Sequence, residues 1–179
     1  MRLVFLHGLP GVGKLTIGKA LETLTGYPVF HNHLAVDLAT TLFEFGSPEF
    51  VEFREHIWLE AFARTSEAGL PGLIFTFADE RSVPAGFAGR VVDAVESRGG
   101  QVCFVELVCE PAELSRRVED PGRRRHGKLA SAELLSELLA DGTLTRLELP
   151  ADYRQCTLDT THSSPDETAV RFVEWSADG

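Results

Sequence analysis

The stretch Gly8-Leu9-Pro10-Gly11-Val12-Gly13-Lys14-Leu15-Thr16 restricts what this chain can fold into more than any other part of it. The apolar run Leu3-Val4-Phe5-Leu6 precedes it, and Ile17, Ala20, Leu21 and Leu24 follow at helical spacing. A buried strand entering a glycine-rich turn that opens a helix is the arrangement that cradles a phosphate. Glycine lets successive main-chain N–H groups turn toward one anion, because no Cβ blocks the approach. The helix aims its partly positive amino end at the same point. Lys14 adds a full charge for the outer phosphates of a nucleotide.

One position departs from the usual pattern. A serine or threonine normally follows the lysine and ligates Mg²⁺, whereas Leu15 stands here and Thr16 comes one residue later. Neighbouring helical side chains point about 100° apart, so Thr16 does not simply inherit that ligand position. Magnesium is then expected through waters, the phosphates and a carboxylate elsewhere.

The 179 residues suit one domain with a full core. A formal net charge of −10 argues against broad binding to nucleic acid or to an anionic membrane. No apolar run approaches the roughly 20 residues that span a bilayer. The first apolar run leads directly into the glycine-rich turn and has no small-residue cleavage site, so it does not read as a signal peptide. Cys103, Cys109 and Cys156 lack metal-ligand spacing and are odd in number, which reads as free thiols in a reducing, cytoplasmic setting.

Further along, Tyr27–Phe30 reads as a second strand, and His31-Asn32-His33 opens a helix to about Phe43. A longer helix is expected over about 48–68, with Phe50, Phe53, Ile57, Trp58, Ala61 and Phe62 mostly on one face. Leu73–Phe77 reads as a buried third strand ending near Asp79, and Pro84–Arg98 as a helix. Val102–Val108 is a fourth strand, and Pro111 starts a helix to Val118. Residues 120–127 are irregular and strongly basic, and Ser131–Ala140 is helical. A weak fifth strand lies near Gln155–Leu158, and Ser164-Pro165-Asp166-Glu167 is a capping box opening a final helix. Strands alternating with helices predict an α/β fold with a parallel sheet covered on both faces.

With these features placed, residues 2–175 resemble the P-loop small-molecule kinases, in particular the shikimate kinase-like and gluconate kinase-like group, with antibiotic phosphotransferases as relatives. The resemblance implies a five-stranded parallel sheet of order 2-3-1-4-5, a lid at about 119–128 and an acceptor-binding flap at about 31–68. It implies ATP and Mg²⁺ as cofactors, a small hydroxylated molecule as acceptor, and a monomer or homodimer. Pro10, Gly11, Val12, Gly13, Lys14, Leu15 and Thr16 would hold the phosphates, with Thr16 and Asp79 on the metal side. Arg117 would lie against the adenine, Arg123 or Arg124 would reach the phosphates, and Thr160 would sit by the adenine edge.

Arginine-rich residues crowd positions 116–128 of an otherwise acidic chain. They read either as a solvated loop or as a lid that places a guanidinium, Arg124 foremost, on the transferring phosphoryl group. On the acceptor side, related kinases carry acids just after the second strand, where this chain has His31 and His33. A histidine there is either a general base or part of a helix cap packed on the sheet edge. His33 and Asp37 are spaced i, i+4, which puts them on one helix face with Asp37 able to orient the ring. His31, Asn32, Arg54 and Asp79 are the candidate acceptor contacts, Arg54 suiting a carboxylate or phosphate. Two functions stand: a kinase transferring the γ-phosphoryl group of ATP to a small molecule, or a nucleotide-binding, slowly hydrolysing protein that transfers nothing.

Overall fold

The computed structural model describes residues 1–120, 129, 131–151 and 153–177. Five parallel strands form one sheet of order β2-β3-β1-β4-β5: β1 (Arg2–Gly8), β2 (Val29–His31), β3 (Gly72–Ala78), β4 (Gln101–Val108) and β5 (Gln155–Asp159). The order is the one the sequence resemblance implied. Seven helices connect or follow them among the described residues: α1 (Lys14–Thr25), α2 (His33–Thr40), α3 (Pro48–Glu67), α4 (Phe87–Glu96), α5 (Pro111–Val118), α6 (Ala132–Ala140) and α7 (Pro165–Ala177).

The central position of β1 follows from its side chains. Successive strand residues point to opposite faces, and both sets here are apolar. Leu3 and Phe5 enter a core built with Trp58 and Phe62 of α3 and Val91 and Val95 of α4. Val4 and Leu6 enter the opposite core with Ile17 and Leu21 of α1 and Phe172 of α7. A strand buried on both faces belongs in the middle of a parallel sheet. Its carboxyl end therefore opens between β3 and β4.

The helix boundaries answer to local chemistry. Ser47 accepts a hydrogen bond from the Phe50 N–H at 3.2 Å, with Pro48 in the first turn, so α3 starts at the expected place. The capping box forms before α7: Ser164 Oγ accepts from the Glu167 N–H and Glu167 Oε2 accepts from the Ser164 N–H. Two expectations needed correction. The helix after β2 ends at Thr40 rather than near Phe43, and the one expected from Pro84 begins at Phe87, after Gly86 turns through φ 77°. On the face expected along α3, Phe50, Trp58 and Phe62 are fully buried, whereas Phe53 is half-buried. Arg123, Arg124 and most of the expected lid lie outside the described residues.

Candidate functional site: a phosphate cradle between two cavities

The loop from β1 to α1 has the geometry its glycines predict. Gly8 has φ 138°, and a Cβ on it would lie 2.3 Å from the Leu107 carbonyl oxygen of β4. Gly11 has φ 100°, and a Cβ there would come within 2.9 Å of both Val118 and Leu114 of α5. No L side chain fits either position without displacing backbone or core. The Lys14 ammonium donates to the Gly8 and Leu9 carbonyls at 2.7 and 2.8 Å, folding back over its own loop. The first turn of α1 contains no acid and no side chain caps it. Its amino end therefore keeps its positive character toward an anion.

Two cavities meet at this loop, and Gly11, Gly13 and Thr16 line both. The first, of about 200 Å³, is bounded by Pro10, Lys14 and Leu15 on one side and by His31, Asn32 and His33 on the other. The second, of about 380 Å³, is bounded by Val12, Glu113, Arg116, Arg117 and Thr160. Most of the residues singled out in the sequence thus converge on one loop from opposite sides.

Arg117 is held rigidly. Its Nε donates to Glu113 at 2.7 Å, Nη1 to Thr160 Oγ1 at 3.1 Å, and Nη2 to the Thr160 and Thr161 carbonyls at 2.7 and 3.2 Å. The hydrogen bond from Arg116, followed by that from Arg117, holds the Glu113 carboxyl at about 2. The Thr160 hydroxyl lies 3.0 Å from both the Val12 and the Val108 carbonyls, which ties the end of β5 to the phosphate loop.

On the other side, His31 ends β2 and His33 opens α2, with ring centroids 6.3 Å apart. Both border the first cavity. Asp37 is exposed on α2, where its backbone carbonyl accepts from the Thr40 hydroxyl at 2.9 Å. The i, i+4 spacing brings His33 and Asp37 to one helix face, where an exposed pair contributes little.

Arg54 and Asp79 also depart from expectation. The Arg54 guanidinium is 1% exposed, donates to Glu80 at 2.8 Å and Ser82 at 3.0 Å, and lies over the Phe50 and Trp58 rings at 5.1 and 4.7 Å. Burial lowers its pKa and the Glu80 charge works against that. It borders neither cavity: its Nη1 and Nη2 groups are turned to Glu80 and Ser82 on the inner side of α3. Asp79 is 3% exposed and likewise borders neither; one carboxylate oxygen lies 3.1 Å from His7 Nδ1 and 3.2 Å from the Gly8 nitrogen.

The sequence reading missed His7. Its signal was available, since a histidine as the last side chain of a doubly buried strand requires a polar partner. Glu106, the register neighbour of His7 on β4, pairs with Arg146 and accepts from Thr157 at 3.1 Å.

The donors near the phosphate loop suit a magnesium ion brought by a nucleotide rather than a protein-built cage. Thr16 offers an exposed hydroxyl at the meeting of the cavities, and Asp79 lies behind Gly8. Among the described residues no group of three or more His, Cys, Asp or Glu is arranged for a metal. Mg²⁺ ordinarily keeps several waters and takes its remaining ligands from phosphates and one or two carboxylates.

No protein-family model matches the sequence, and no curated protein does either. Solved structures do match it over nearly its whole length. A sugar kinase from Janibacter is 21% identical, with a TM-score of 0.63 over 99% of this chain and 95% of that one. A shikimate kinase from Bacteroides thetaiotaomicron is 17% identical, with a TM-score of 0.63 over 98% of both chains. A gluconokinase from Sinorhizobium meliloti is 16% identical, with a TM-score of 0.59 over 99% of this chain and 94% of that one. The protein has the fold of the P-loop small-molecule kinases. Within that class, its architecture is that of the shikimate kinase-like and gluconate kinase-like group.

Proposed function

We propose that this chain is an ATP-dependent kinase that transfers the γ-phosphoryl group to a hydroxyl of a small molecule. The observation that carries the reading is the phosphate loop standing between two cavities that share Gly11, Gly13 and Thr16. ATP would take the Arg117 side, with its base near Thr160 and its phosphates on the main-chain amides of residues 10–16. Lys14 would exchange its carbonyl partners for phosphate oxygens. The acceptor would take the His31–Asn32–His33 side, one loop away from the γ-phosphate.

In the reaction, the acceptor oxygen bonds to the γ-phosphorus as the bond to the bridging β–γ oxygen breaks, and ADP leaves. The hydroxyl proton passes to His33, a base whose ordinary pKa lies close to working pH. Mg²⁺, brought by ATP and reached through Thr16 or through waters, would neutralise charge on the β and γ oxygens. Arg123 and Arg124 are proposed to close over the phosphates and stabilise the transferring group. The acidic balance suits a small-molecule partner better than nucleic acid or a membrane, and no described helix is long and apolar enough to cross one. A reducing, cytoplasmic setting is the one that fits free cysteines.

A second reading has its own support. Leu15 borders the cavity where a hydroxyl usually meets the metal, and the Asp79 carboxylate is occupied by His7 and Gly8. These features suit a nucleotide-binding protein that hydrolyses slowly and transfers nothing. ATP turnover measured with a panel of hydroxylated metabolites and antibiotics separates the two. Acceptor-stimulated ADP release with a phosphorylated product is the result expected of the kinase. Binding of ATP that no acceptor accelerates overturns that assignment in favour of the switch.

A further inference from the structure

We propose that His7 is a positioning residue of the phosphate site: it clamps the Asp79 carboxylate onto the Gly8 amide and so fixes the point from which the loop and the Lys14 ammonium depart. The inference rests on the reading of residues 8–16 as a phosphate site.

The connections form a continuous chain. His7 Nδ1 lies 3.1 and 3.3 Å from the two Asp79 oxygens. Asp79 Oδ1 accepts from the Gly8 N–H at 3.2 Å, and the Asp79 N–H donates back to the Gly8 carbonyl at 3.2 Å. That same carbonyl accepts from Lys14 Nζ at 2.7 Å. A change at His7 therefore reaches the ammonium through Asp79 and a single glycine.

The chemistry of the ring identifies the contact that matters. An ionised carboxylate only accepts, so in the neutral imidazole Nδ1 carries the proton and Nε2 holds a lone pair. Nε2 is buried without a hydrogen-bond partner among the described residues. A buried polar atom left unpaired is unfavourable, and an apolar side chain beside Phe5 and Phe77 would avoid it. What the imidazole supplies that leucine would not is the Nδ1 bond.

The placement also excludes direct contact with substrate. His7 is 1% exposed, sits in register with Phe77 of β3 and Glu106 of β4, and borders neither cavity. It can act only through Asp79. Without the imidazole, a buried carboxylate loses a donor and is free to turn away from Gly8. The loop entry, held at φ 138° against β4, then loses the bond that sets it.

The test is calorimetric titration of Mg·ATP into the full chain and its variants, with the imidazole tautomer read by long-range ¹⁵N–¹H correlation in the unmutated protein. His7→Leu is expected to weaken Mg·ATP binding about tenfold, the scale of one buried hydrogen bond to a charged group. His7→Asn, which returns a donor near Nδ1, should recover binding to within about threefold of the original. The ring should carry its proton on Nδ1. If the unmutated protein binds no Mg·ATP, the phosphate-site reading falls and this inference with it. If it binds and His7→Leu binds equally well, or His7→Asn fails to rescue, the positioning role alone is overturned. Should His7→Leu not fold, a proton found on Nε2 in the unmutated protein overturns it independently.

Discussion

At the scale of single residues, the site separates side chains that border the cavities from those that hold the borders in place. Lys14, Thr16, His31 and His33 belong to the first kind, and His7, Asp79 and Arg54 to the second. Arg54 shows why the distinction matters. Its charge suggests a grip on an anionic acceptor, yet it is buried with Glu80, Ser82 and two aromatic rings. Removing one member of a buried ion pair typically costs about 3 kcal/mol or more, because its partner is left uncompensated. Arg54→Ala is therefore expected to lower the free energy of unfolding, measured in urea, by that order while nucleotide affinity changes less than twofold. A stable variant with a raised acceptor KM would instead return Arg54 to the acceptor site.

At the scale of elements, the cavity proposed for the nucleotide depends on a relay from α5 to the end of β5. Glu113 and Arg117 stand one turn apart on α5, and Arg117 reaches the Thr160 carbonyl and hydroxyl, which in turn meet Val12 and Val108. The pKa of the Glu113 carboxyl is held at about 2, below its ordinary value of 4.5, first by Arg116 and then by Arg117. A lowered carboxylate pKa favours the folded state above the unfolded value, and that contribution is lost as pH falls from 4.5 toward 2. Stability measured by chemical unfolding across this window should fall less steeply for Glu113→Gln than for the unmutated chain. Parallel acid limbs for the two proteins would show that the carboxylate contributes nothing to this relay. The pair is on the surface, so the difference is expected to be small and to shrink with added salt.

At the scale of the whole molecule, function follows from where β1 lies. With β3 on one side and β4 on the other, the loop leaving β1 opens at the centre of the sheet edge, and space is left on both of its flanks. Ligands of open α/β sheets gather beyond the carboxyl ends of the strands for this reason. A ligand seated there touches elements packed on both cores. Saturating Mg·ATP at about 100 times its Kd should stabilise the fold by about 2.7 kcal/mol. For a chain of this size that corresponds to roughly 5–11 °C in Tm, read by differential scanning calorimetry. An unchanged Tm at that ratio would contradict nucleotide binding by the native state.

The phosphate loop was legible in the chain because its constraint is local. Three glycines, a lysine, a preceding apolar strand and a following helix determine the turn through backbone sterics and the helix dipole, which act over a few residues. Strand order came from the resemblance to P-loop kinases: alternating strands and helices demand parallel connections, but that pattern does not by itself order the strands. Tertiary packing alone decided the roles of the charged groups. Asp79 lies 71 residues from Gly8 and Arg54 lies 26 from Glu80, and no local pattern records that such groups will meet. Electrostatics depends on distance through space and on burial, so a carboxylate after a strand or an arginine on a helix acquires its role only once the sheet has closed around it.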